Sequence, residues 1–164
     1  MTYLETERLL IRNFEAEDLD ELVEYRNNEL CYKYQRGQYR DRGHLAIFIE
    51  AAAEDDLFSA GKKHFAVADK GSNRLVGDIF VSIKKPIIPL GFTVSYKYHR
   101  QGYAYEFLAA LVEIFHQRFI AYEIVACTDK ENLASINLLR KLQFENKGYY
   151  KQIDSYVFSK FVKH

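Results

Sequence analysis

His99-Arg100-Gln101-Gly102-Tyr103-Ala104 (HRQGYA) follows a strand pattern from Gly91 to Tyr96 and opens a long helix pattern. In that helix Phe107, Leu108, Leu111, Val112, Ile114 and Phe115 recur at spacings of three and four. The first backbone N–H groups of a helix have no internal acceptor and lie at the positive end of its dipole. Gly102 permits a positive φ or a close backbone approach. Ala104 leaves room beside the chain, and Arg100 can add a charge-assisted bond. The stretch therefore reads as an anion-binding turn. No Gly-Lys-Ser/Thr follows, so it is not a Walker loop, and its single glycine makes no dinucleotide fingerprint.

One strand pattern downstream (Glu123 to Thr128) comes a second polar segment, Thr128-Asp129-Lys130-Glu131-Asn132-Leu133-Ala134-Ser135. Asn132 and Ser135 are three apart, which puts them on one face at a helix start. Taken alone, Asp129 or Asn132 reads as an ordinary N-cap. The helix runs from Asn132 to Leu142, with Ile136, Leu139 and Leu142 on one side.

Upstream, Glu7 to Phe14 reads as a strand and Ala16 to Asn28 as an amphipathic helix with acidic residues in its first turn. Cys31 to Gly43 is polar, aromatic and basic and reads as a loop or helix entrance, and Leu45 to Ala52 as a second helix. His64 to Asp69 and Leu75 to Lys84 form a hairpin across Lys70-Gly71-Ser72-Asn73. Pro86 and Pro89 bracket the approach to the Gly91 strand, and Phe144 to the C-terminus reads as a closing hairpin. The predicted order is β-α-α-β-β-β-α-β-α-β-β, a mixed α/β layer fold. With no repeat, linker or low-complexity tract, residues 1–164 read as one domain.

Hydrophobic residues make up 48% of the chain and charged residues 28%, enough for a core under a solvated surface. The formal net charge is zero, which argues against nucleic acid as a partner. No run is long enough to cross a bilayer, and the N-terminus lacks a basic start and an apolar stretch. A cytoplasmic location and no membrane contact are the expectation. Cys31 and Cys127 form no framework and read as buried small hydrophobes, and no metal set is visible.

Taken together, these segments resemble the GNAT superfamily of acetyl-CoA-dependent N-acetyltransferases. Gly102-Tyr103-Ala104 with Glu106 matches its pyrophosphate turn, and Glu131 to Ser135 with Lys141-Leu142-Gln143-Phe144 matches its last helix. Thr6-Glu7-Arg8-Leu9-Leu10-Ile11-Arg12 and Leu75-Val76-Gly77-Asp78-Ile79 resemble the branch that includes the ribosomal-protein N-terminal acetyltransferases. The resemblance implies a twisted sheet of six to seven strands with four helices, splayed at a cofactor cleft, and a possible homodimer.

It also implies roles. Main-chain groups of Phe92, Thr93 and Val94 would pair with the pantetheine arm. Arg100, Gln101, Gly102, Tyr103, Ala104 and Tyr105 would hold the pyrophosphate. Asn132 would bond the cofactor and Ser135 would face its sulfur. Many members carry a tyrosine acid where Leu139 stands, and Ser135 is the natural substitute. His99, Arg100 and Gln143 also depart from the family's usual residues.

The implied reaction is attack of a primary amine, on a protein N-terminus or a small molecule, on the thioester in a ternary complex. An ammonium with a pKa of about 10 must lose its proton, so a base helps. Asp78 and Glu106 are the carboxylate candidates. Asp78 reads equally as an exposed strand carboxylate, and Glu106 as a residue that steadies its helix. The backbone N–H of Val94 is a candidate oxyanion donor. Arg26, Tyr32 and Tyr34 are candidate acceptor contacts. The alternative is a non-catalytic acyl-CoA-binding module of the same fold.

Overall fold

The computed structural model describes residues 1–161. Eight strands form one open sheet: β1 (Thr2–Glu5), β2 (Leu9–Arg12), β3 (Gly61–Asp69), β4 (Leu75–Ile83), β5 (Ile87–Val94), β6 (Glu123–Thr128), β7 (Glu145–Tyr150) and β8 (Ser155–Lys160). The spatial order is β1-β2-β3-β4-β5-β6-β8-β7. Five helices cover it: α1 (Leu19–Arg26), α2 (Glu29–Tyr32), α3 (Arg42–Ala52), α4 (Tyr103–Arg118) and α5 (Leu133–Lys141).

This is the expected element order with two additions. β1 is an edge strand paired antiparallel to β2, and α2 is one turn of helix that straddles the start of the segment expected from Cys31. Asn28 starts α2 by accepting the N–H of Leu30 at 3.0 Å. β5 begins at Ile87, four residues before the expected start. Pro89 is tolerated because the ladder to β4 runs only from Leu90 to Val94. The closing hairpin is present as β7 and β8, and its expected last residues, 162–164, lie outside the described residues.

Strand alternation divides the sheet into two faces. Phe65, Val67, Ile79 and Val81 pack against Phe107, Leu108, Leu111 and Phe115 of α4. Ala66 faces a smaller core of Phe14, Leu22, Tyr25, Leu45 and Ile49, built on α1 and α3. Asp78 is opposite Ala66 in register and shares its face.

All neighbours from β1 to β5 are antiparallel, whereas β5 and β6 are parallel. Their pairing covers only Ile87–Pro89 against Glu123–Val125. Beyond Pro89 the two strands part, and a cleft opens between them.

Candidate active site

The cleft between β5 and β6 has a volume of about 940 Å³. One wall is Leu90 to Val94, and the other is Ala126 to Asp129. Arg100, Gly102, Tyr103, Ala104 and Tyr105 close one end, while Asn132, Ser135, Leu138 and Leu139 of α5 line its side.

The wall on β5 is an open strand edge. The carbonyl of Phe92 accepts the side-chain amide of Gln35 at 3.2 Å, and that of Val94 accepts Nε2 of His99 at 2.8 Å. The N–H of Ser95 points the other way, to Val76 O on β4 at 2.8 Å. A residue's N–H and C=O lie on the same side of a strand, so Phe92 and Val94 present both groups to the cleft. Thr93 turns its main chain to β4 and its buried side chain toward the α1–α3 face.

At the cleft's end, Arg100 has φ 62° and Gly102 φ 77°, and Gly102 is the N-cap of α4. The first helical N–H to find an acceptor in the turn is that of Glu106, bonded to Gly102 O at 3.1 Å. The N–H groups of Tyr103, Ala104 and Tyr105 are therefore the unpaired donors of the helix start, an arrangement that suits an anion. Of the predicted turn residues, Gln101 alone does not line the cleft.

Glu106 holds this turn from behind and lines neither cavity of the site. Its carboxylate accepts from the hydroxyl of Thr6, from Arg8 N at 3.0 Å and from Arg8 Nε at 2.7 Å. Arg8 in turn donates to Gln101 O at 3.0 Å and lies 4.2 Å over the ring of Tyr103. Burial pushes the Glu106 pKa up, but the bonds from Thr6 and Arg8 outweigh it and hold the group below its ordinary value. The Thr6-Glu7-Arg8 stretch thus acts on the turn across 93 residues of sequence.

On the α1–α3 face, a second cavity of about 380 Å³ meets the cleft across β5, sharing Gln35, Arg36 and Gly91 to Thr93 with it. Its other walls include Arg26, Phe48, His64, Asp78 and Phe80. Asp78 is not the exposed carboxylate the sequence allowed. It is 3% exposed, accepts the hydroxyl of Tyr25, and pairs with Arg26 Nη2 at 3.1 Å. Burial and the neighbouring carboxylate keep the Tyr25 phenol protonated. Arg26 Nε is buried without a partner.

The expected acceptor residues are dispersed. Arg26 lines the second cavity, Tyr34 lines the cleft and donates to Glu131 O at 3.2 Å, and Tyr32 lines neither, lying under the guanidinium of Arg40. Arg36 straps the loop after α2 across the cleft mouth, donating to Ile153 O, to Asp154 O at 2.9 Å and to Asp129 Oδ2 at 3.2 Å. His64 was missed by the sequence reading. The register of the β3–β4 hairpin sets it opposite Phe80, on the same face as Asp78, and that is the signal that finds it.

At the start of α5, Asn132 accepts the N–H of Ser135 at 3.2 Å, so its oxygen caps the helix while the residue lines the cleft. Ser135 is half-buried on the same wall. Cys127 is exposed to the cleft rather than buried, because Ile124, Ala126 and Thr128 take the inward positions of β6. Burial of its thiol still raises its pKa. Among the described residues no cluster of His, Cys, Asp and Glu suits a metal, and no helix is long and apolar enough to cross a membrane.

Known proteins share this architecture. A GNAT-family acetyltransferase from Bacillus anthracis superposes with a TM-score of 0.84 over 98% of both chains, at 24% identity. The RimL ribosomal L7/L12 alpha-N-protein acetyltransferase in complex with coenzyme A gives 0.82 over 99% of this chain and 98% of that one, at 15% identity. In sequence, the uncharacterized N-acetyltransferase YnaD of Bacillus subtilis (strain 168) is 25% identical over 153 residues, 92% of this chain and 86% of YnaD. Residues 8–145 match the family model described as an acetyltransferase (GNAT) domain. The splayed strands, the turn at Gly102 and this match agree: the chain is an acetyltransferase of the GNAT family.

Proposed function

We propose that residues 1–164 form one acetyl-CoA-dependent N-acetyltransferase domain that acetylates a primary amine in a ternary complex. The observation that carries this reading is a pair of cavities with different chemistries that share Gln35, Arg36 and Gly91 to Thr93. The cleft offers an open strand edge ending at a helix N-terminus, which suits an amide-bearing arm joined to a pyrophosphate. The second cavity reaches the same strand from the opposite face.

When bound, acetyl-CoA supplies a thioester whose carbonyl carbon is open to attack. The chain's own residues do the rest. Phe92 holds a pantetheine amide through its main chain, and the N–H of Val94 stabilises the developing oxyanion. Arg100 and the N–H groups of Tyr103 to Tyr105 bind the pyrophosphate. Ser135 gives a proton to the leaving sulfur, since Leu139 has none to give. His99 donates to Val94 O and so ties the turn to the strand end. The acceptor enters from the side lined by Arg26, Phe48 and Phe80.

The test is release of free thiol from acetyl-CoA in the presence of peptides with free N-termini, polyamines and aminoglycosides. Turnover with at least one amine is expected. Acetyl-CoA binding with no turnover on any amine would overturn the reading. With an accepted amine, Ser135→Ala lowers kcat by about 10²-fold, the usual reach of one proton donor, and changes acetyl-CoA affinity far less. Equal losses in both would make Ser135 a binding residue only.

A further inference from the structure

We propose that His64 is the proton acceptor for the attacking amine, a role that rests on the amine-acetylation reading above. Its side chain lines the second cavity, between the rings of Phe48 on α3 and Phe80 on β4, at 4.7 and 5.2 Å between centroids. Its backbone N–H is bonded to Asp55 Oδ2 at 3.1 Å, and among the described residues its ring nitrogens carry no hydrogen bond.

Most other titratable groups near the reaction path are engaged, and Cys127 lies on the far wall of the cleft, on β6. Asp78 accepts from Tyr25 and Arg26. His99 and the thiol of Cys31 both donate to Val94 O. Arg26 and Arg36 are cations and cannot take a proton. Tyr39, on the rim, stacks on His44 at 4.3 Å. His64 is the imidazole lining this cavity, and among the described residues its ring nitrogens carry no hydrogen bond.

The surroundings keep that ring ready. Burial pushes its pKa below the ordinary histidine value, Asp78 and Asp55 pull it up, and Arg26 pushes it down. Burial wins, so the ring is neutral at pH 7 and can accept a proton. β3 is two strands from β5, so the backbones of His64 and Gly91 stand about 10 Å apart. The ring stands off the α1–α3 face rather than along the sheet, and Val94 lies three residues beyond Gly91, so a chain of waters in the second cavity relays the proton from the β5 side to the ring.

The proton count closes. The ammonium gives one proton through these waters to the His64 ring. The freed lone pair forms the C–N bond at the thioester carbonyl, and the C–S bond breaks. The sulfur takes a proton from the hydroxyl of Ser135, which the second proton of the nitrogen replaces. His64 returns its proton to solvent, and the net products are the amide, the thiol and one H⁺.

The experiment follows kcat/KM against pH for wild type, His64→Phe and His64→Gln. His64→Phe keeps the ring contacts with Phe48 and Phe80, and calorimetry with acetyl-CoA confirms that both variants retain the fold. Wild type should rise through a pKa below the ordinary histidine value, then stay level up to the pKa of the amine. The variants should lose the level region and climb about tenfold per pH unit, because only the already neutral amine reacts. Their deficit, about 10²-fold at pH 7, should close as the pH approaches the pKa of the amine. A variant that keeps the wild-type profile overturns the proposal.

NMR titration of the His64 ring needs no turnover. A ring that titrates above pH 7 overturns the proposal on its own. A ring that titrates low in a chain that acetylates no amine counts instead against the amine reading and removes the reaction His64 would serve.

Discussion

Asp78→Ala should unfold about 10 °C below wild type. Asp78 and Arg26 are each about 95% buried at the side chain, where desolvation is costly and a partner is needed. Removing the carboxylate leaves the Arg26 guanidinium, whose Nε already lacks a partner, as an uncompensated buried charge. It also strips Tyr25 of its acceptor. Breaking a buried pair in this way costs about 3–5 kcal/mol. For a chain of this size each kcal/mol lowers Tm by about 2–4 °C. Thermal melting by circular dichroism reads the effect. A variant that melts with wild type but has lost turnover would make Asp78 a base and not an anchor. This outcome separates Asp78 from His64, because the account assigns the first to holding α1 on β4 and the second to moving the proton.

Gly77→Ala should be nearly as damaging, and it acts at the cleft itself. A Cβ at position 77 would lie 2.3 Å from the carbonyl oxygen of Thr93 and 3.1 Å from Cα of Val94. Both are backbone atoms, so no side chain can swing aside. β4 is irregular here, its register to β3 shifting between Val67 and Ala68, and that irregularity brings the chains close. Overpacking of this kind costs about 1–3 kcal/mol. The larger consequence is positional. The displaced peptide joins Thr93 to Val94, the edge expected to face the thioester. Acetyl-CoA affinity should fall at least about tenfold while the chain remains folded at 25 °C. Unchanged Tm and unchanged affinity together would show that β4 and β5 are not this close.

The sequence made the cleft legible because its parts are local. A turn, a helix start and a cap are each written within a few residues, so the stretches at residues 99–104 and 131–135 disclose the fold. β1 was missed for the opposite reason. Thr2–Glu5 has no turn signal of its own and is held by pairing to β2 and by the Tyr3 hydroxyl on Asp55 O at 2.7 Å, 52 residues away. Asp78 and Glu106 stand out in the sequence only as carboxylate candidates for the base, and their partners come from distant segments. Thr6 and Arg8 reach Glu106 from the first strands, and Tyr25 and Arg26 reach Asp78 from α1. His64 carried no local mark. It becomes visible only when the hairpin register sets it beside Phe80 and the α3 helix brings Phe48 over it.

The loop after α2 connects fold to access. Gln35 occupies the Phe92 carbonyl that the pantetheine arm is expected to use, and Arg36 bridges to the β7–β8 turn. The Arg36 contacts are exposed and individually weak, and the part-buried Gln35 bond would be exchanged for one to the ligand that pairs with β5.

The central claim is that the cleft from Phe92 to Tyr105 binds acetyl-CoA. Isothermal titration of the wild-type chain with acetyl-CoA tests it most directly. Saturable one-to-one binding is expected, with a dissociation constant of about 1–100 μM, in the ordinary range for an enzyme and its substrate. No heat of binding and no saturation at millimolar acetyl-CoA, from a chain that melts cooperatively, would contradict it.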